Sequence, residues 1–143
     1  MKIVSKGVVE TNKVAVVFMA KIIPQENRAT VIGLSGDLGA GKTTFMQAVA
    51  KICGTNGTVS SPTFVIQKNY DVNWNGFKKL IHVDAYRIEK SDELRQLKWQ
   101  ETISDSQNLI FIEWSEKVAD VLGESIKTIY FKFIDENTRE IEI

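Results

Sequence analysis

The sequence predicts an α/β fold with a central, mixed and partly parallel sheet. Strand-like apolar runs alternate with helix-like segments along most of the chain. The segment Gly36-Asp37-Leu38-Gly39-Ala40-Gly41-Lys42-Thr43 is a complete G-x-x-x-x-G-K-[ST] phosphate loop, which joins a strand to a helix in folds of this class. Asn75-Gly76 lies between two strand-like runs and predicts a β-hairpin, which adds an antiparallel part.

Length, composition and charge limit the number of domains, the class of partner and the compartment that we expect. With 143 residues and an ordinary apolar fraction, we expect one domain over residues 1–143. The 18 basic and 18 acidic side chains give a net charge of zero, so no general or sequence-specific nucleic-acid-binding surface is expected. No apolar run approaches a membrane span and no signal-peptide core begins the chain. The single Cys53 fits a reducing compartment, which predicts a cytoplasmic protein without membrane partners.

The first elements precede the phosphate loop. Residues 2–8 are compatible with a short strand. Thr11 is a candidate N-cap for a helix over residues 12–23, which Pro24 would end.

The phosphate loop lies where its chemistry requires it. Residues 29–34 are apolar and β-branched and predict a buried strand, while residues 44–53 predict the helix that follows. Backbone N–H groups and the helix N-terminus would then face the phosphates. Lys42 can reach the β- and γ-phosphates, and the Thr43 hydroxyl can ligate Mg²⁺.

The remaining elements lie after the loop. The hairpin strands are predicted at residues 64–70 and 77–84, and a helix with Ser91 as its cap at residues 91–100. Three further strands are predicted at residues 109–112, 126–134 and 138–143.

Two acids close apolar strands. Asp84 ends the run Leu80-Ile81-His82-Val83, and Glu113 ends Leu109-Ile110-Phe111-Ile112. Phosphate-loop enzymes place a metal-binding carboxylate at the carboxyl end of a neighbouring strand. One acid would hold Mg²⁺ and the other would orient or deprotonate the attacking water, and the residues alone leave the division open.

Four motifs in order carry a resemblance to a known family. They are Gly36 to Thr44, Ser61-Pro62-Thr63-Phe64, His82-Val83-Asp84-Ala85-Tyr86-Arg87 and Ile112-Glu113-Trp114. Together they resemble the TsaE family, the small bacterial ATPases of the tRNA threonylcarbamoyladenosine pathway.

The resemblance implies a three-layer P-loop NTPase-like domain that binds and slowly hydrolyses ATP to ADP with Mg²⁺. Family members act beside the TsaD–TsaB pair, which transfers threonylcarbamoyl to the adenosine following the anticodon. The resemblance makes TsaD and TsaB homologues the expected partners here.

The resemblance also implies roles for particular residues. Lys42, Asp84 and Glu113 would be catalytic, with Thr43 and Glu113 on the metal and Asp84 on the water or γ-phosphate side. Ser61, Pro62 and Thr63 would form a switch loop near the γ-phosphate. The matched nucleotide-binding positions are Thr11, Asp37, Leu38, Gly39, Ala40, Gly41, Lys42, Thr43, Thr44 and Glu116.

One departure from the family pattern concerns local backbone. The family usually has Leu-Gly in the helix after Arg87, whereas this chain has Leu97-Lys98. This difference affects the local turn there rather than the nucleotide site.

Three other functions are weighed against this interpretation. A GTPase would carry a guanine-reading Asn-Lys-x-Asp motif, but Asn12-Lys13-Val14-Ala15 has Ala in the last place. A small-molecule kinase usually brings several arginines to a closing lid, and this chain has four arginines and no obvious lid. A non-enzymatic module that uses ATP to regulate assembly differs from a slow ATPase mainly in degree.

Overall fold

A computed structural model describes residues 1–55, 67–122 and 126–143. The strands among these residues form one seven-stranded sheet in the order β1-β7-β6-β2-β5-β4-β3. The strand bounds are β1 Lys2–Ser5, β2 Thr30–Ser35, β3 Gln67–Trp74, β4 Phe77–Asp84, β5 Asn108–Glu113, β6 Lys127–Asp135 and β7 Thr138–Glu142.

The sheet is mixed, as the sequence predicts. β2 is parallel to both β5 and β6, and β4 is parallel to β5. The pairs β1–β7, β6–β7 and β3–β4 are antiparallel. The predicted α/β class with a partly parallel sheet and a β-hairpin is therefore confirmed.

Helices cover both faces of the sheet. Their bounds are α1 Val8–Met19, α2 Lys42–Ile52, α3 Asp92–Arg95, α4 Trp99–Ile103, a 3-10 helix Ser115–Val118 and α5 Ala119–Leu122. One buried apolar cluster joins α1 and α2 to the sheet, and a second joins the helices after β4 to the opposite face. All six residues of the interior strand β5 are buried, and its apolar side chains contribute to both clusters.

The first helix begins earlier than predicted. α1 starts at Val8 after Gly7, so Thr11 lies inside the first turn and is not the N-cap. The Thr11 hydroxyl is buried and hydrogen-bonds to Ser5 Oγ at 2.7 Å, which ties the helix to β1. The helix ends at Met19, four residues before the predicted end at residue 23, and Ala20 and Lys21 form a turn after it.

The hairpin turn forms where it was predicted. Asn75 and Gly76 both have positive φ, 48° and 89°, as a type I′ turn requires. The Asn75 side-chain amide donates to the Ile22 carbonyl at 2.8 Å and so fastens the turn to the chain after α1. The first predicted residues of the preceding strand, 64–66, lie outside the described part of the chain.

The predicted helix over residues 91–100 is broken in two. Lys98 adopts a left-handed conformation, φ 59° and ψ 41°, between α3 and α4. Leu94 and Trp99 are both buried in the same cluster. Residues five apart lie on different faces of one continuous α-helix, so the break lets both side chains reach the core.

Candidate functional site

The phosphate loop connects β2 to α2, which begins at Lys42. Gly39 and Gly41 have φ of 79° and 105°, values that residues with a Cβ adopt only with strain. At Gly36 a Cβ would lie 2.5 Å from the Phe131 carbonyl oxygen, so the close approach of the loop to β6 also requires glycine.

The Lys42 ammonium group lies within the curve of the loop. Its Nζ donates to the Gly36 carbonyl and, at 3.4 Å, to that of Asp37. The Trp114 ring centroid is 4.6 Å from Nζ. Lys42 is only 5 % exposed, so water solvates its charge little. The carbonyl dipoles and the aromatic face stabilise the ammonium group instead.

A cleft of about 660 Å³ lies in front of the loop, a volume typical of small-molecule sites. Nine of the predicted residues line it: Thr11, Leu38, Gly39, Gly41, Lys42, Thr43, Thr44, Asp84 and Glu113.

The other predicted site residues differ in position, and Asp37 and Ala40 belong to the phosphate loop itself. Ala40 is buried against the core and Asp37 is exposed, and neither lines the cleft. Glu116 lines a second pocket of about 440 Å³ beside Thr128 and Tyr130. The switch-loop residues Ser61, Pro62 and Thr63 lie outside the described residues.

The two strand-end acids lie side by side at the ends of neighbouring strands. Asp84 and Glu113 are register partners in the parallel pair β4–β5, and Glu113 is also the partner of Leu34 at the end of β2. The carboxyl ends of parallel strands meet at one edge of the sheet, so both acids lie beside the phosphate loop. Glu113 is 4 % exposed, and Asp84 is partly exposed.

Each acid has its own polar environment. The Glu113 carboxylate contacts the buried His82 ring, with 2.7 Å between Oε2 and Nε2. Asp84 accepts a hydrogen bond from the Tyr86 backbone N–H at 2.9 Å. Burial raises the pKa of Asp84 above its usual value, and the nearby Glu113 raises it further, whereas the Tyr86 N–H, His82 and Lys42 oppose the shift.

The donor set in the cleft fits Mg²⁺ bound together with a nucleotide. The Thr43 hydroxyl and the carboxylates of Asp84 and Glu113 share the cleft and would supply hard oxygen donors to such an ion. Among residues 1–55, 67–122 and 126–143, no group of three or more His, Cys, Asp and Glu side chains is arranged to hold a metal. Mg²⁺ is usually bound by one or two carboxylates together with phosphate oxygens, which suits this arrangement.

The cleft is also lined by residues that sequence reasoning did not select. Glu136, Asn137 and Arg139 reach it from the β6–β7 hairpin, and Ser5 from β1. Arg139 Nε donates to the Gly39 carbonyl at 3.1 Å, across 100 positions of sequence. No local pattern marks these residues, because the pairing of β1, β7 and β6 brings them to the loop.

Comparison with known proteins identifies the family. The family model described as threonylcarbamoyl adenosine biosynthesis protein TsaE matches residues 8–141. The chain belongs to the TsaE family. This match includes the phosphate loop, both strand-end acids and Arg139.

Several bacterial proteins that are named TsaE are similar to this chain in sequence. The tRNA threonylcarbamoyladenosine biosynthesis protein TsaE of Rickettsia typhi is 36 % identical over 132 residues, covering 91 % of this chain and 85 % of that protein. The Bacillus subtilis protein of the same name is 38 % identical over 111 residues, covering 78 % and 66 %.

A solved structure has a similar fold. The crystal structure of Bacillus subtilis YdiB matches with a TM-score of 0.71 and 28 % identity, over 99 % of this chain and 82 % of that one. Within the described residues, no helix has the length and apolar character needed to cross a membrane.

Proposed function

We propose that residues 1–143 form one cytoplasmic P-loop ATPase domain that binds ATP with Mg²⁺ and hydrolyses it slowly to ADP and phosphate. Its role is in threonylcarbamoyladenosine modification of tRNA at the adenosine following the anticodon. Membership of the TsaE family supports the pathway. The convergence of Lys42, Thr43, Asp84 and Glu113 on one cleft supports the chemistry and is the observation that carries the proposal.

Each of these four residues has a role that follows from its position. Lys42 binds the β- and γ-phosphates from the loop, and the loop's N–H groups and the α2 N-terminus add further donors. Thr43 and Glu113 hold Mg²⁺, which neutralises charge on the phosphates when bound. Asp84 is the less buried acid and orients the attacking water or receives its proton.

The partners follow from the family and from the charge of the chain. The net charge of zero gives the chain no overall basic excess for binding tRNA, so TsaD and TsaB homologues would bind the nucleic acid and transfer the threonylcarbamoyl group. Hydrolysis would then act as a timer for their turnover, with the loop at Ser61, Pro62 and Thr63 as the predicted switch.

The test is single-turnover ATP hydrolysis by the purified chain, alone and with the TsaD and TsaB homologues of the same organism, together with pull-downs with and without ATP. We expect slow hydrolysis that changes with the partners, ATP-dependent capture, and preference for ATP over GTP. The Lys42→Ala variant should lose ATP hydrolysis and ATP-dependent capture. Lys51 is an exposed lysine on the same helix, and the Lys51→Ala variant should retain both. Full tRNA modification by the partners without this chain would contradict the proposal.

A further inference from the structure

His82 is the single histidine of the chain and is wholly buried on β4, at 0 % exposure. Alternation along the strand places it on the same face as Asp84, two positions further on. Its Nε2 lies 2.7 Å from Glu113 Oε2, and its Nδ1 has no hydrogen-bond partner among the described residues. Among the described residues, Glu113 is therefore the one side chain to which the ring is hydrogen-bonded.

The direction of this hydrogen bond follows from the chemistry of the two groups. An ionised carboxylate can only accept hydrogen bonds, so the proton between the two atoms belongs to Nε2. A glutamate side chain has several rotatable bonds, and fixing it in one rotamer when it is buried costs conformational entropy. A rigid, packed imidazole that binds one oxygen reduces the freedom that the carboxylate would otherwise have.

We propose that His82 is a positioning residue for the metal site. It donates Nε2–H to Oε2 of Glu113, fixes the carboxylate in one orientation and leaves Oε1 available to Mg²⁺ in the cleft. This proposal depends on the proposed function, in which Glu113 is a metal ligand. A histidine that only filled the core would affect stability but not the metal dependence of nucleotide binding.

The first test compares nucleotide affinity with Mg²⁺ and with EDTA, using a nonhydrolysable ATP analogue. His82→Phe fills the space without a donor, and we expect the Mg²⁺ enhancement to fall about 10- to 100-fold while the affinity in EDTA stays within about 2-fold. His82→Gln restores a donor and should recover most of the enhancement. Leu80→Met, a volume-conserving change of a buried residue on the same face of β4, is the packing control.

A double variant tests whether the two residues act together. In a Glu113→Gln background, His82→Phe should cause little further loss of Mg²⁺ enhancement. An unchanged enhancement in His82→Phe would overturn the positioning role alone. A wild-type chain without any Mg²⁺ enhancement would instead overturn the metal assignment of the proposed function, and this inference with it.

The second test needs no variant. Because the chain has one histidine, the ¹⁵N and proton signals of its ring belong to His82. We expect nuclear magnetic resonance of the wild-type chain to show a proton on Nε2 that exchanges slowly with solvent. A ring that carries its proton only on Nδ1 would overturn the proposal, even if His82→Phe failed to fold.

Discussion

The Lys42 ammonium group lies 4.6 Å from the centroid of the Trp114 ring, which links the phosphate loop to the residue directly after the strand-end acid Glu113. Trp114 has a left-handed backbone, with φ 58°, and its N–H donates to the Leu34 carbonyl at 3.2 Å. The turn at the end of β5 therefore places an aromatic face against the lysine that the motif provides for phosphate.

Lys42→Ala tests the phosphate role. We expect ATP affinity to fall by about 100-fold or more, because the ammonium is the main side-chain cation for the β- and γ-phosphates. The free energy of unfolding of the variant should differ from that of wild type by no more than about 1 kcal/mol, since removal of a buried charge offsets the lost contacts. Calorimetric titration and thermal unfolding measure these changes, with Lys51→Ala as control. ATP binding within a few-fold of wild type would refute the assignment.

Thr43→Ala tests metal ligation. The hydroxyl would bind Mg²⁺, whereas the loop backbone binds the phosphates, so Mg²⁺-ATP should be weakened about 10-fold or more and metal-free ATP hardly at all. Thr43→Ser keeps the hydroxyl and should behave like wild type. Equal losses of affinity with Mg²⁺ and with EDTA would show that Thr43 is not a ligand.

Lys98→Gly tests the break between α3 and α4. Lys98 has φ 59°, and a residue with a Cβ pays about 1–2 kcal/mol there, partly offset by the greater unfolded-state entropy of glycine. We expect a gain of up to about 1 kcal/mol in the free energy of unfolding in urea. Lys13→Gly, an exposed position within α1, should instead lose roughly 0.5–1 kcal/mol. A loss at position 98 would mean that the lysine side chain stabilises the break.

Asp84→Asn tests whether the partly buried negative charge of Asp84 destabilises the folded chain. The pKa of Asp84 is raised in the folded chain by burial and by Glu113, so the carboxyl stabilises the fold most below its unfolded value of 3.8. That contribution is lost as pH rises through the folded value. In EDTA at pH 7 the variant should therefore melt at a higher temperature than wild type, with the difference closing towards pH 3.

The control for this change is Asp105→Asn. Asp105 is exposed and accepts a backbone N–H from the residue two positions on, as Asp84 does. If both variants gained the same stability at pH 7, removal of any acidic charge would explain the effect.

Cys53 should be chemically inert in the folded chain. Burial raises the pKa of its thiol to about 12, so the reactive thiolate is scarce near neutral pH. We expect a thiol reagent to label the native chain at pH 8 at least about 100 times more slowly than the urea-unfolded chain. Rapid labelling of the native chain, with no loss of structure, would show that the position is accessible.

The parts of this protein that the sequence determined are local ones. Gly39 and Gly41 can adopt the backbone angles of the phosphate loop, and Asn75-Gly76 those of the hairpin turn, whatever lies elsewhere in the chain. The apolar run before Glu113 likewise indicated a buried strand with an acid at its end. These features depend on side chains within a few positions, which is why they could be predicted.

Only the tertiary structure decided the contacts between distant residues. The Gly39–Arg139 hydrogen bond depends on the antiparallel pairing of β6 and β7, and the His82–Glu113 contact on the parallel register of β4 and β5. The break at Lys98 depends on a core that both Leu94 and Trp99 must reach. Strand order and register are set by the packing of the whole sheet, because residues far apart in sequence share one core that no local pattern describes.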